Sequence, residues 1–253
     1  MVMTSPALFL YTLRLADNAL ILGHRLSEWI GHAPLLEEEL ALGNVALDLI
    51  GQARALYAHA GAIEDKGRDE DVLAYRRDAP EFHNILLVEQ PKGDFAHTIV
   101  RQFLYSAFMH PFWRALTQSR DATLAAIAAK AEKEAAYHLR HASEWLIRLG
   151  DGTEESHRRA QAALDDLWPY AGEMFESDAI ERALIAQGIA ADPALLRTEW
   201  ERRVDSVLAE ATLTRPAGTW MQSGGRSGRH SEHLGHLLAE MQFLQRAYPG
   251  ATW

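Results

Sequence analysis

The chain has 253 residues, no cysteine and a formal net charge of −10. That length can bury a core without staples, and the missing thiols exclude disulfides and thiolate-bound zinc or iron–sulfur centres. The acidic balance argues against a general nucleic-acid binder, and 48% hydrophobic residues with seven tryptophans exclude a disordered chain.

The opening stretch, MVMTSPALFLYTLRLADNAL, reaches Arg14 and Asp17 before any apolar run is long enough to span a bilayer, and it lacks the features of a signal peptide. The expectation is a cytoplasmic protein without a membrane segment. Ser5-Pro6 reads as an N-cap with proline at the first helical position, and Leu10, Leu13, Ala16, Ala19, Leu20 and Ile21 follow at helical spacing until Gly31 to Pro34 ends the helix. A second helix starts near Leu35, with Glu37, Glu38 and Glu39 at the positive end of its dipole, and runs to about Ala60. Residues 71 to 93, bracketed by Pro80 and Pro91, are less regular and predict a short helix with connecting loops. Asp94 caps a third long helix to about Gln118, and Asp121 a fourth that stops at Gly150.

Long amphipathic helices joined by turns, with one longer connection between the second and third, predict an all-α, ferritin-like four-helix bundle. Further helices follow: one opened by Thr153, a short one opened by Ser177 and stopped at Gly188, one from Asp192-Pro193 to about Ala211, and a last from Ser231 to Tyr248. The expectation is a single domain over residues 1–253, with a core bundle over about 5–150 and additional C-terminal helices over about 153–253.

A ferritin-like di-iron site takes one Glu from each of two helices and a Glu-x-x-His from each of the other two. Glu-x-x-His occurs here only at Glu154 to His157, in the opening turn of the fifth helix, where an exposed polar turn outweighs a ligand pair. In the fourth helix, KEAAYHLRHASEWL sets Tyr137 where the His belongs and brings His138 one place late. Glu134 and His138, four apart, could still chelate a metal, since two ligands at that spacing share a helix face. On the second helix ALGNVALDLIGQA offers Asn44 and Asp48 and no His. The expectation is therefore no metal. A polar network of Asp17, Asn44, Asp48, Glu134 and His138, partnered by Arg14, Arg101 or Arg140, takes the place of the cavity because buried polar groups must be paired. The alternative is an independent metal-dependent enzyme using Glu134 and His138.

Two stretches invite an anion. QSGGRSGRHSEH sets flexible amides, Arg226, Arg229 and His230 before a helix start, which suits phosphate as well as it suits a mobile loop. AYRRDAPEFHN adds Arg76 and Arg77 beside the irregular segment, a second place for an anion or simply a solvated connector.

Several long segments carry a family resemblance: YTLRLADNALILGHRLSEWIGHAP, ALDLIGQAR, LLVEQPKGDFAHTIVRQF, KEAAYHLRHASEWLIRLGDGTE and EHLGHLLAEMQFLQRAYPGATW. Together they resemble, over nearly the whole chain, the C subunits of bacterial phenylacetyl-CoA epoxidases, multicomponent monooxygenases of aerobic phenylacetate degradation. The resemblance implies a non-catalytic, ferritin-like structural component that has lost the metal ligands, forms a heteromer with the related catalytic di-iron component, and binds no cofactor itself. It implies that the complex epoxidises the aromatic ring of phenylacetyl-CoA, with di-iron in that catalytic partner, dioxygen, and NADPH electrons passing through a flavin and iron–sulfur reductase. It further implies acyl-CoA contacts at Glu81, Phe82, His83 and Asn84 and at Arg182, Ala183 and Leu184.

Overall fold

A computed structural model describes residues 4–251. The side chain of Ser5, expected as the first N-cap, and the closing Thr252 and Trp253 lie outside the described residues. The helices run α1 Thr4–Ser27, α2 Leu36–Glu64, α3 Glu70–Tyr75, α4 Leu86–Glu89, α5 Phe95–Leu116, α6 Ala122–Gly150, α7 Glu154–Leu167, α8 Ala179–Ala186, α9 Arg197–Glu210, α10 Glu232–Met241 and α11 Phe243–Ala247. No strand occurs among the described residues, and the fold is all-α and ferritin-like, with additional C-terminal helices. No helix among the described residues is long and apolar enough to cross a membrane.

Local chemistry sets the helix starts. Asp94 accepts from the His97 amide at 2.9 Å, Asp121 from Leu124 at 2.8 Å and Thr153 from Ser156 at 3.1 Å, each satisfying an amide that the helix leaves unpaired. The expected cap at Ser177 shifts one residue, since Asp178 accepts from the Glu181 amide. The last helix breaks at Gln242, whose side-chain amide donates to the carbonyls of Ala74 and Arg77 at 3.0 Å each.

The described residues form two compact units. One comprises residues 33–36 and 92–223. There α5, buried on nearly all sides, lies along α6, whose Ala128, Ala131, Ala135 and Ala142 recur at helical spacing and allow close approach. Around α5 an aromatic cluster gathers Phe108, Phe112, Trp113, Phe175 and Trp200, and the Trp200 indole donates to the Leu104 carbonyl at 3.0 Å.

The other unit comprises residues 4–32, 37–91 and 224–251, so α10 and α11 complete the unit that α1 begins. Residues 71 to 93 hold the expected short helical pieces and connecting loops, with α3 and α4 joined by irregular backbone, but those loops lie in the core of this unit. Phe82 and Asn84 are fully buried, and Ile85 to Gln90 are buried throughout. Irregular backbone can enter a core only if its amides and carbonyls are met by side chains, and α1 meets them. The His83 amide donates to Asp17 at 2.7 Å, the Ile85 amide to Asn18 at 2.8 Å, and Arg25 donates to the Glu89 carbonyl at 2.9 Å.

Candidate functional site

The most developed polar structure lies in the unit built on α1. Asp17, with no solvent exposure, accepts from the Tyr57 hydroxyl at 2.6 Å, from both terminal nitrogens of Arg77, and from the His83 amide. A carboxylate offers about four lone-pair sites, and all four are taken. Arg77, 3% exposed, also donates to the carbonyls of Leu73 and Glu81 and lies over the Phe82 ring at 4.1 Å. Burial opposes its charge, but Asp17 and the neighbouring Tyr57 and Glu81 more than restore it, and its proton is held above the ordinary range. Tyr57 is driven well above its usual value, first by burial and then by the Asp17 charge.

A second carboxylate repeats the pattern. Glu89 is fully buried and accepts from the Ser231 amide (2.7 Å) and hydroxyl (2.8 Å), from Asn84 (2.8 Å) and from His230 Nδ1 (2.7 Å). The other nitrogen of His230 lies 2.9 Å from the Phe82 carbonyl. Burial penalises the imidazolium, yet the hydrogen bond and charge of Glu89 outweigh it, and the His230 pKa rises above its ordinary value. His83 goes the other way, lowered first by burial, with Asp17 opposing and Arg77 and Arg14 adding to the fall.

The glycine-rich stretch is not a loose loop. Gly225 lies so close to the Asn84 carbonyl and the Leu86 amide that a Cβ would collide with backbone, and Gly228, at φ +77°, presses on the Pro80 carbonyl. The amides of Ser227 and Arg229 close onto the Gly224 carbonyl, and the Gly228 amide onto Gly225. The stretch therefore straps residues 80–86. Gly225→Ala and Gly228→Ala are each expected to cost about 1–3 kcal/mol through backbone overpacking, measured as a lowered urea midpoint.

The His230 shift gives a pH dependence whose sign follows from linkage. The folded pKa exceeds the unfolded value, so the stabilisation is fully present below the ordinary value of 6.5 and is lost as pH rises through the raised folded value. The stability difference between the native chain and His230→Gln should therefore shrink from pH 6 toward pH 9. Urea titrations across that range measure it, and a difference that grows with pH would contradict the assignment.

A family model described as Phenylacetic acid catabolic protein matches residues 2–253. The chain belongs to that family. It is 51% identical over 243 residues to the C subunit of the 1,2-phenylacetyl-CoA epoxidase of Escherichia coli (strain K12), covering 96% of this chain and 98% of that protein.

In this member of the phenylacetic acid catabolic family, the residues expected to form one polar network come from both units. Asp17, Asn44 and Asp48 belong to one unit, and Glu134 and His138 to the other. Asn44 is exposed and Asp48 only partly buried, because the inward face of α2 is Val45, Ala46, Leu49, Gln52 and Tyr57. This corrects the reading of Asn44 as a core residue. Glu134 pairs with Lys130 at 3.3 Å, His138 is buried, and Tyr137 lies on the surface beneath Arg140. The partner that Asp17 requires is Arg77, which corrects the reading of Arg77 as part of a solvated connector. An arginine between α3 and α4 carries no local sign that it turns inward; the signal was the uncompensated Asp17 in an apolar stretch.

No group of three or more His, Asp or Glu side chains among the described residues is disposed to hold a metal. Asp17 and Glu89, two carboxylates without solvent exposure, have every lone pair committed to a protein donor. In the stretches that the resemblance assigned to acyl-CoA, Phe82, Asn84 and Leu184 have no solvent exposure. Glu81, Arg182 and Ala183 are exposed, and His83 is partly so. Glu81 accepts from the Asp78 amide at 2.7 Å and Arg182 donates to the Ser177 carbonyl at 2.5 Å.

Proposed function

We propose that this chain is the non-catalytic, structural subunit of a phenylacetyl-CoA epoxidase, and that it binds and stabilises the related catalytic partner of the complex. The observation that carries the reading is the pair of saturated carboxylates. Asp17 and Glu89 are committed to Arg77, Tyr57, His230, Ser231 and backbone donors, so these two carboxylates hold helices together and neither is free for iron. The 51% identity to the C subunit of an epoxidase supports the same reading. In it the di-iron centre belongs to the catalytic partner, and NADPH, flavin and the iron–sulfur centre belong to the reductase. The setting is the cytoplasm.

If acyl-CoA touches this chain, the exposed part of the two stretches carries the contact: Glu81, His83, Arg182 and Ala183. Arg182 supplies the one positive charge among them. Phe82, Asn84 and Leu184 act by shaping the backbone beneath.

The test is purification of the chain by itself and together with the catalytic partner, followed by iron analysis and thermal melting. Iron is expected to follow the catalytic partner, whose melting point and soluble yield are expected to rise with this chain present. Stoichiometric iron on the isolated chain, lost in Glu134→Ala or His138→Ala without unfolding, would instead identify an independent metal enzyme.

A further inference from the structure

His230 stands between two groups that accept. Its Nδ1 lies 2.7 Å from Glu89 Oε2 and its Nε2 lies 2.9 Å from the Phe82 carbonyl oxygen. A neutral imidazole has one N–H and one lone pair, so it satisfies one acceptor and turns a lone pair on the other; only the imidazolium donates twice. Glu89 does not relieve the conflict. The Ser231 amide, the Ser231 hydroxyl and Asn84 already donate to it, which holds it in the role of a carboxylate. A charged histidine therefore occupies a position where its side chain is 4% exposed.

The two contacts of His230 join different parts of the chain. Glu89 belongs to α4, His230 stands just ahead of α10, and Phe82 lies in the irregular backbone that leads into α4. When the proton leaves, the charge of Glu89 keeps the remaining N–H at Nδ1, because a hydrogen bond to an ionised acceptor is the stronger of the two. The lone pair then falls on Nε2, against the Phe82 carbonyl. That carbonyl has little room to turn away, since Phe82 is fully buried with Arg77 over its ring and Gly225 lies against the neighbouring Asn84 carbonyl. Repulsion at Phe82 is thus passed to the backbone of residues 82–84.

The charges around this histidine come from several elements. Glu89 of α4 is the nearest and Asp17 of α1 adds to it, both favouring the proton. Arg25 of α1 reaches the carbonyls of Glu89 and His233, and Arg77, ahead of α4, is paired with Asp17. Arginines keep their charge throughout the relevant range. His83, beside Phe82, is lowered first by burial. Glu81, Arg229 and Glu232 are exposed.

We propose that His230 is a positioning residue, carried as an imidazolium, whose proton ties the start of α10 to residues 82–84 and whose loss loosens that segment. The tie is a property of this chain by itself; its bearing on an acyl-CoA contact at residues 81–84 rests on the function proposed above.

The test follows the proton and the segment together in the full chain. NMR of histidine labelled at the ring nitrogens is expected to show both His230 nitrogens protonated at pH 6, with Nε2 losing its proton first as pH rises. Amide exchange, corrected for its intrinsic pH dependence, is expected to quicken about tenfold in residues 82–86 through the same midpoint, while α5 keeps its protection. In Glu89→Gln both midpoints should fall together, and in His230→Gln, which has nothing to titrate there, exchange in residues 82–86 should not respond to pH. A neutral His230 at pH 6 would overturn the proposal. So would protection of residues 82–86 that stays flat through the His230 titration, or a pH response that survives in His230→Gln. The iron and melting measurements on the catalytic partner do not depend on this outcome, so either idea can fail alone.

Discussion

Arg77→Met is expected to lower the stability of the chain by about 3–5 kcal/mol, the usual cost of removing one partner from a buried ion pair. Met keeps much of the side-chain volume, so packing on Phe82 changes little, and the loss reports the charge left behind. Asp17 would keep only Tyr57 and the His83 amide, leaving a buried charge without its counter-ion. A second change separates this account from lost packing. Arg77→Met with Asp17→Leu removes both charges and should recover a substantial part of the loss, since a buried pair replaced by apolar groups is often near neutral. Urea unfolding of the two variants measures both, and equal destabilisation in the single and double variants would show that the charge of Asp17 is not the cause.

Glu89→Ala should be comparably severe. Its four donors come from two distant segments: Asn84 beside α4, and His230 and Ser231 at the start of α10. Each donor stranded in the interior costs about 1–3 kcal/mol, and His230 would lose the charge that raises its pKa. A proton-uptake measurement supplies a readout that packing alone cannot imitate. In the Glu89→Gln variant the His230 resonance, followed by NMR, should titrate at lower pH than in the native chain. An unchanged titration would remove Glu89 as the cause of the shift.

These two residues also show what was legible in the sequence. Asp94, Asp121 and Thr153 announce their helices because a cap acts within three residues of its own position. The long helices were readable for a similar reason, since an apolar period is local information. Residues 81 to 90 were not. Taken alone they look like a connector, and they become core only because Asp17, Asn18 and Arg25 arrive from one side and Ser231, 142 positions beyond Glu89, from the other. Asn44 failed differently. An apolar run with an embedded Asn suggests a buried polar residue, but α2 is apolar on both faces, so hydrophobicity could not say which one points inward.

The return of α10 and α11 to the unit begun by α1 has a consequence for synthesis. On the ribosome, residues 92–223 emerge as one uninterrupted block, and α5 to α9 can consolidate as soon as they clear the exit tunnel. The earlier-made unit must wait. Until residues 224–251 appear, Glu89 lacks His230 and Ser231, and the carbonyls of Ala74 and Arg77 lack Gln242. Its closure depends on contacts of very large sequence separation, the kind that slow folding and leave apolar surface open while the chain waits. The first helices made are thus the last to be sealed, and a stalled or clipped chain would carry that half in a form vulnerable to proteases.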